Sequence, residues 1–243
     1  MLLIDADILI YRIGHTCQTK TPEGEVVALP EGIACARMRE SLINIHESLN
    51  NEPSRIFLSS TDHSNYRYSF YPEYKANRTA AKPLLYTSLR AFLFDNGAEE
   101  VFGQEADDKI GIEATRSSSI IVTIDKDLDQ IPGMHYNFVK GLLYNVTPEE
   151  GLKFFYHQLL MGDAADNIPG LTGIGPKKAE KALARATTER HFFQIARTMY
   201  EKEYAHMWYD IMLRNGRLLK IRQFEDEMWD LPEETEVTEN EVA

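Results

Sequence analysis

An α/β fold with a mainly parallel central sheet flanked by helices is the architecture that this 243-residue sequence predicts. Three short apolar runs carry the prediction: Leu2 to Asp5, Arg55 to Leu58, and Ser119 to Asp125. Runs of this length, rich in β-branched residues, read as buried strands. Helix-period stretches separate them, at Gly32 to Leu49, Pro83 to Phe94 and Ala106 to Thr115. Strands that alternate with helices imply parallel pairing, with helices on the sheet faces and sites beyond the carboxyl ends of the strands. Asp5 and Asp125 fall at such ends.

From Thr147 the pattern turns helical. Pro148-Glu149-Glu150 opens an amphipathic stretch to about Met161, two further helical stretches follow a glycine-rich turn, and a strand signal returns at Leu218 to Phe224. The expected organisation is a catalytic α/β core over 1–146 with an arch or gateway segment near 66–95, then a helical region over 147–224. An acidic tail over 225–243 is expected to be solvated and disordered.

The length suits one large domain, or a core with a small appendage, and is enough to bury a substantial hydrophobic interior. No basic run precedes an apolar stretch at the N-terminus and no charge-free span is long enough for a bilayer, so a soluble, cytoplasmic protein without membrane contact is expected. Cys17 and Cys35 are too few for a disulfide scaffold or an ordinary zinc site. The formal net charge of −12 looks wrong for a phosphate binder, yet nine of the acids lie between Glu225 and Glu241 in a stretch without Lys or Arg. Without them the rest of the chain is near neutral.

Four acidic clusters then stand out: Asp5 with Asp7, Glu105-Ala106-Asp107-Asp108, Asp125-Lys126-Asp127 with Asp129, and Asp163-Ala164-Ala165-Asp166. Any one of them alone reads equally as a helix cap or turn, and Asp5-Ala6-Asp7 alone could be a phosphatase-type motif. Glu105 and Asp108 share one face of a helix start, and Asp163 and Asp166 repeat the spacing. Gathering so many carboxylates without a cation would force several to stay protonated. Oxygen-only ligands suit magnesium or manganese better than zinc, and a pair of such ions would support phosphodiester hydrolysis by activated water.

Gly162 to Ala179 is the most specific segment. Its glycines allow tight turns and close backbone approach, Pro176 suits the first turn of a helix, and exposed amides there with Lys177, Lys178 and Lys181 would make a sequence-independent phosphate site. The plain alternative is a helix–turn–helix connection with a solvated lysine face. A second basic and aromatic segment runs from Tyr66 to Arg78 and on to Lys82. Lys75 and Arg78 on one helix face would clamp a phosphate, and Tyr74 would offer a ring for a base to stack on; the plain alternative is a charged helix with a core tyrosine.

Together these motifs resemble the 5′ nuclease (flap endonuclease) superfamily, which includes the nuclease domains of bacterial DNA polymerase I and the exonucleases of T-odd phages. They occur in family order from Leu2 to about Ala186: a first-strand Asp, Pro-Glu-Tyr-Lys-Ala-Asn-Arg, Glu-Ala-Asp-Asp, Thr-Ile-Asp-Lys-Asp-Leu-Asp-Gln, and Gly-Asp followed by Gly-Ile-Gly-Pro-Lys. The resemblance implies a PIN-like 5′ nuclease core with a helix-three-turn-helix DNA-binding region. It implies metal ligands at Asp5, Glu105, Asp107, Asp108, Asp125, Asp127, Asp163 and Asp166, with Asp62 the best match to a carboxylate after the second strand. It also implies phosphate steering by Lys75 and Arg78, and a duplex grip on Gly170, Gly173, Gly175 and their neighbours that can hold potassium. Asp7 and Asp129 match no catalytic position and are read as structural.

The function implied is a magnesium-dependent 5′-3′ exodeoxyribonuclease, with manganese as a substitute ion. It would act as a monomer on duplex DNA with a 5′ end, nick or flap, and on RNA–DNA hybrids at primers, in replication or phage DNA metabolism. The short stretch between Lys75 and Glu105 favours the compact phage exonucleases over strict flap cutting. Two alternatives stay open: a PIN-type ribonuclease, against which Gly170 to Lys178 argues, and a structure-specific DNA-binding protein without catalysis, against which the intact acidic clusters argue.

Overall fold

The computed structural model describes residues 1–232, which form two compact units. The first comprises Met1–Gly151, Ala165–Asn167 and Ile221–Glu227; the second comprises Leu152–Ala164, Ile168–Lys220 and, of the described residues, 228–232.

The first unit is built on a six-stranded sheet in the order β5-β4-β1-β6-β7-β8. Its strands are β1 (Leu2–Asp5), β4 (Ser54–Ser59), β5 (Glu99–Val101), β6 (Ile120–Val122), β7 (Gly133–Asn137) and β8 (Leu142–Val146). All pair in parallel except β7 with β8, which form an antiparallel hairpin at one edge. The helices are α1 (Ala6–Thr16), α2 (Glu31–Ser48), the single turn α3 (Arg67–Phe70), α4 (Tyr86–Asp95) and α5 (Ala106–Arg116). A small hairpin of β2 (Gln18–Lys20) and β3 (Val26–Ala28) joins α1 to α2.

Strand periodicity explains the layering. Leu2 and Ile4 of β1 point to one face, where they pack with Leu9, Ile10 and Ile13 of α1, Met38 of α2 and Leu89 of α4. Leu3 points to the other and packs with Phe57, Ile110 of α5, Ile121 and Ile221. Alternation by two sends successive side chains to opposite faces, so β1 is buried on both sides as a central parallel strand must be. Of the six-stranded sheet and the helix after β1, the sequence reading missed α1, β5, β7 and β8.

The second unit is helical: α6 (Pro148–Met161, entered from the first unit), α7 (Pro176–Leu183), α8 (Glu189–Tyr204) and α9 (Trp208–Leu219). Two short strands, β9 (Gly162–Asp163) and β10 (Ile168–Pro169), pair antiparallel between α6 and α7. Gly170 is required there, because a Cβ on it would lie 2.0 Å from the Met161 carbonyl oxygen. Gly216 of α9 likewise receives the Trp229 ring, which would stand 2.1 Å from an added Cβ.

Two sequence expectations are corrected. Leu218 to Phe224 is no strand: α9 runs to Leu219, and the amides of Ile221 and Arg222 then donate to the Gln130 and Asp108 side chains at 3.1 Å each, so the backbone has partners without joining the sheet. The acidic tail does not begin as solvated chain either. Glu225 pairs with Lys109 and Arg116, both at 3.1 Å, and Trp229 is buried; acids with basic partners on α5 have no reason to remain in water. The rest of that expectation, over 233–243, lies outside the described residues.

Candidate active site

The parallel strands set the site. Asp5 ends β1 and caps α1 by accepting from the Ile8 amide, so its position is fixed by backbone geometry at a strand–helix junction. Beside it β4 ends at Ser59, whose hydroxyl accepts from the Ala106 amide at 3.0 Å and anchors the start of α5. Thr123, just past β6, donates to Asp5 Oδ2 at 2.8 Å and accepts from the Asp125 amide at 2.9 Å. Three strand ends and one helix start therefore bring Asp5, Glu105, Asp107 and Asp125 to one mouth, where β1 stands between strands reached by opposite crossovers. The cavity there, of about 310 Å³, is lined by these four and by Asp7, Asp62, Lys75, Arg78 and Lys82.

The acidic wall is short of positive charge. Burial pushes Asp5 up to about 7, aided by the charges of Asp7 and Asp125 and opposed by the Thr123 hydrogen bond. Asp107 is raised well above the usual carboxylate range, by loss of water first and then by Asp5, Asp125 and Glu105. Glu105 behaves oppositely. Burial alone would raise it, but Lys75 and Arg67, with hydrogen bonds from Lys75 and Tyr74, hold it down at about 2. A donor set of oxygen atoms with too little countercharge fits a hard divalent cation. Among the described residues no three His, Cys, Asp or Glu side chains are already grouped around a single ion position, and Glu105 is turned to Lys75 instead.

Other expected ligands lie elsewhere. Asp108 does not face the cavity. It is fully buried and takes both guanidinium nitrogens of Arg67, at 2.5 and 2.9 Å, together with the amides of Glu105 and Arg222 at 3.1 Å each. A carboxylate with both oxygens so engaged holds the segment after Tyr66 and the chain at Arg222 to α5, and the metal role expected for it is corrected. Asp166 pairs with Arg78 and Lys75 and is not among the cavity-lining residues. Asp127, in a 3-10 turn, is not among them either; its amide donates to Asp125 Oδ1 at 3.0 Å. Asp62 lies in an exposed turn closed by the Ser64 amide at 2.9 Å, and hydrogen bonds from Ser64 hold its carboxyl low. Asp163 belongs to β9 of the second unit.

The basic segment also differs from expectation. Residues around Lys75 form successive turns and no helix, and Lys75 itself has φ of +59°. Tyr74 is 2% exposed, so its ring cannot receive a base in this structure. It packs edge-on against Tyr68, and its hydroxyl sits between Glu105 and Asp166. Lys82 is exposed, its ammonium 4.3 Å from the Tyr86 ring centre. In the second unit Gly173 has φ of +68°, Gly175 caps α7, and Lys178 donates to the Gly173 carbonyl at 2.7 Å. Lys177, Lys178 and Lys181 are all exposed.

The sequence reading gave Asp7 no part in the site and did not single out Thr123. Asp7 faces the cavity while accepting from the Ser59 amide at 2.9 Å, and burial raises its carboxyl; its spacing from Asp5 was visible, but nothing local distinguished it from a first-turn helix acid. Thr123 ties two of the acidic residues together, a link between distant chain segments that no local pattern announces.

Residues 1–154 match the family described as 5′-3′ exonuclease, N-terminal resolvase-like domain. The chain belongs to the 5′-3′ exonuclease family. As a member it is a hydrolytic nuclease. A 5′-3′ exonuclease of Buchnera aphidicola subsp. Schizaphis graminum is 29% identical over 215 residues, covering 79% of this chain and 72% of that protein. The flap endonuclease Xni of Shewanella denitrificans is 27% identical over 207 residues, covering 77% and 78%. Of the DNA polymerase I of Rhizobium leguminosarum, 35% identical over 142 residues, the chain spans 14%. The T5 5′-exonuclease with divalent zinc ions bound shares the fold, with a TM-score of 0.64 at 17% identity over 90% of this chain and 88% of that one. Among the described residues no helix is long and apolar enough to cross a membrane.

Proposed function

We propose that this exonuclease removes nucleotides from the 5′ ends of duplex DNA, with magnesium held by Asp5, Asp107 and Asp125 and manganese able to replace it. One observation carries the reading: buried, mutually repelling carboxylates converge in a cavity that Lys75, Arg78 and Lys82 also line. Bound divalent ions would supply an activated water and neutralise charge on the phosphate. Asp7, Glu105 and Asp62 border the same space; Asp127 and Asp163 are further candidate ligands on the resemblance of their motifs alone, and Asp166 is engaged by Lys75 and Arg78. Thr123 orients Asp5, and the basic side chains hold the phosphate in reach of the water.

The exposed lysines and helix-start amides of α7 suit duplex phosphates without regard to sequence. Potassium on the glycine turn would compete with Lys178 for the Gly173 carbonyl. Relatives named as 5′-3′ exonuclease and flap endonuclease support 5′ ends, nicks and flaps as substrates, with RNA–DNA hybrid as a further one.

The test compares 5′-labelled and 3′-labelled duplex, nicked and flap DNA, and single-stranded RNA, with and without magnesium. Short 5′-labelled products that need the metal and vanish in Asp5→Asn/Asp125→Asn are expected. Full cleavage by that variant would overturn the assignment, and RNA degraded in preference to duplex would favour the ribonuclease. Binding should weaken steeply with salt, because the contacts are to phosphates.

A further inference from the structure

Lys75 and Arg78 are expected to hold a phosphate, yet here both are held by carboxylates. Lys75 Nζ pairs with Glu105 and lies 3.6 Å from Asp166 Oδ2, and Arg78 pairs with Asp166 through Nη2. Tyr74 places its hydroxyl 3.1 Å from Glu105 and 3.0 Å from Asp166, able to donate to one at a time. Backbone contacts reinforce the grip: the Lys75 amide donates to the Asp166 carbonyl at 2.9 Å, and the Asn167 side chain donates to the Glu73 carbonyl at 2.8 Å. Lys75 adopts left-handed backbone geometry (φ +59°), which a non-glycine residue keeps only where surrounding contacts impose it.

Glu105 cannot give its oxygens fully to a divalent ion while Lys75 sits on one of them, and Lys75 cannot reach a phosphate while Glu105 and Asp166 retain it. We propose that Asp166 is a positioning residue for Lys75 and Arg78, and that divalent-ion loading of the acidic cavity and release of these two cations form one linked step. The inference rests on the metal-dependent reading above. An ion of charge two at Glu105 displaces a single ammonium, the contacts around Tyr74 loosen, and both basic side chains become available to substrate phosphate. Without ions the same residues neutralise each other, so the cavity offers DNA little net positive charge. Linkage is reciprocal: whatever the ion does to the Lys75 contacts, removing those contacts does in reverse to the ion.

Calcium tests the coupling without DNA or turnover, on the full chain, by calorimetric titration and amide hydrogen exchange. Saturating calcium is expected to speed exchange of the Lys75 amide at least about tenfold, and Lys75→Met to bind calcium about fivefold tighter or more. Lys75→Arg, which keeps the charge, should stay near the wild-type affinity, and Asp166→Asn should make Lys75 exchange fast with or without the ion. Calcium binding with unchanged exchange at Lys75, or equal or weaker affinity in a folded Lys75→Met, overturns the coupling alone. No calcium binding by the wild type overturns the metal reading with it.

Discussion

Asp107 and Asp108 are neighbours on the first turn of α5 and have opposite surroundings. Asp108 is fully buried and receives four hydrogen bonds, two from Arg67 and one each from the Glu105 and Arg222 amides. Asp107 opens to the cavity, and loss of water first, then the charges of Asp5, Asp125 and Glu105, raise its proton affinity. A helix turn points adjacent side chains in different directions, and that rotation separates a carboxylate with four hydrogen bonds from one that faces the cavity and other carboxylates. An acidic residue in a motif is thus no indication of its role until its countercharge is known.

The largest effect should come from Asp107→Asn. Loss of a supporting residue at a metal site typically lowers activity about 10–100-fold, so loss of a proposed ligand should lower cleavage of 5′-labelled duplex by more than about a hundredfold. The metal-free melting temperature should hold or rise. A variant that is inactive because it unfolds would erase the distinction between the two residues.

Asp108→Asn should do the reverse. Breaking a buried pair by removing one partner costs about 3–5 kcal/mol, because Arg67 is left charged and 2% exposed without its carboxylate. Denaturant titration would show the loss. An unchanged midpoint with abolished cleavage would move Asp108 back among the ligands.

Stability against pH separates the two kinds of carboxylate next. The folded state raises Asp5 from 3.8 to about 7, so between those values the folded protein binds more protons than the unfolded chain. That contribution is fully present below about 4 and is lost as pH rises through 7, by at most about 4 kcal/mol at 1.36 kcal/mol per unit. Glu105, held near 2, has the opposite sign: its stabilisation is present above 4.5 and is lost as pH falls towards 2. Saturating magnesium should remove the loss towards alkaline pH, and urea midpoints measured at intervals from pH 2 to 8 would check both.

The smallest effect is expected at Asp129, a carboxylate served by a neutral donor. Tyr144 donates to it at 2.7 Å, and Tyr144→Phe should lower stability by about 1–2 kcal/mol with a comparable magnesium requirement. A large shift in that requirement would show that the 3-10 turn after Asp125 transmits to the cavity.

The parts of this molecule legible in the sequence are those that local patterns fix. Leu2 to Asp5 announces a buried strand ending in an acid, and Ala106 to Thr115 a helix behind Glu105, so the sheet and the mouth above it could be anticipated. What Asp108 and Tyr74 do could not. The Arg67 partner of Asp108 is 41 residues away and the Arg222 amide 114, and Tyr74 is buried through contacts with Tyr68, Glu105 and Asp166. The β7–β8 hairpin escaped because β8 is an edge strand with Leu142 and Leu143 about half exposed, so its pattern lacks the in–out alternation that marks a half-buried strand.

The central claim is that the acidic cavity is electrostatically unfavourable until a divalent cation enters. Thermal unfolding of wild type and Asp107→Asn at pH 8, each in chelator and in excess magnesium, tests it most directly. Magnesium should raise the wild-type midpoint by about 5–10 °C, whereas the variant should start higher and gain little. A wild type indifferent to magnesium, or a variant that gains as much, would contradict the account.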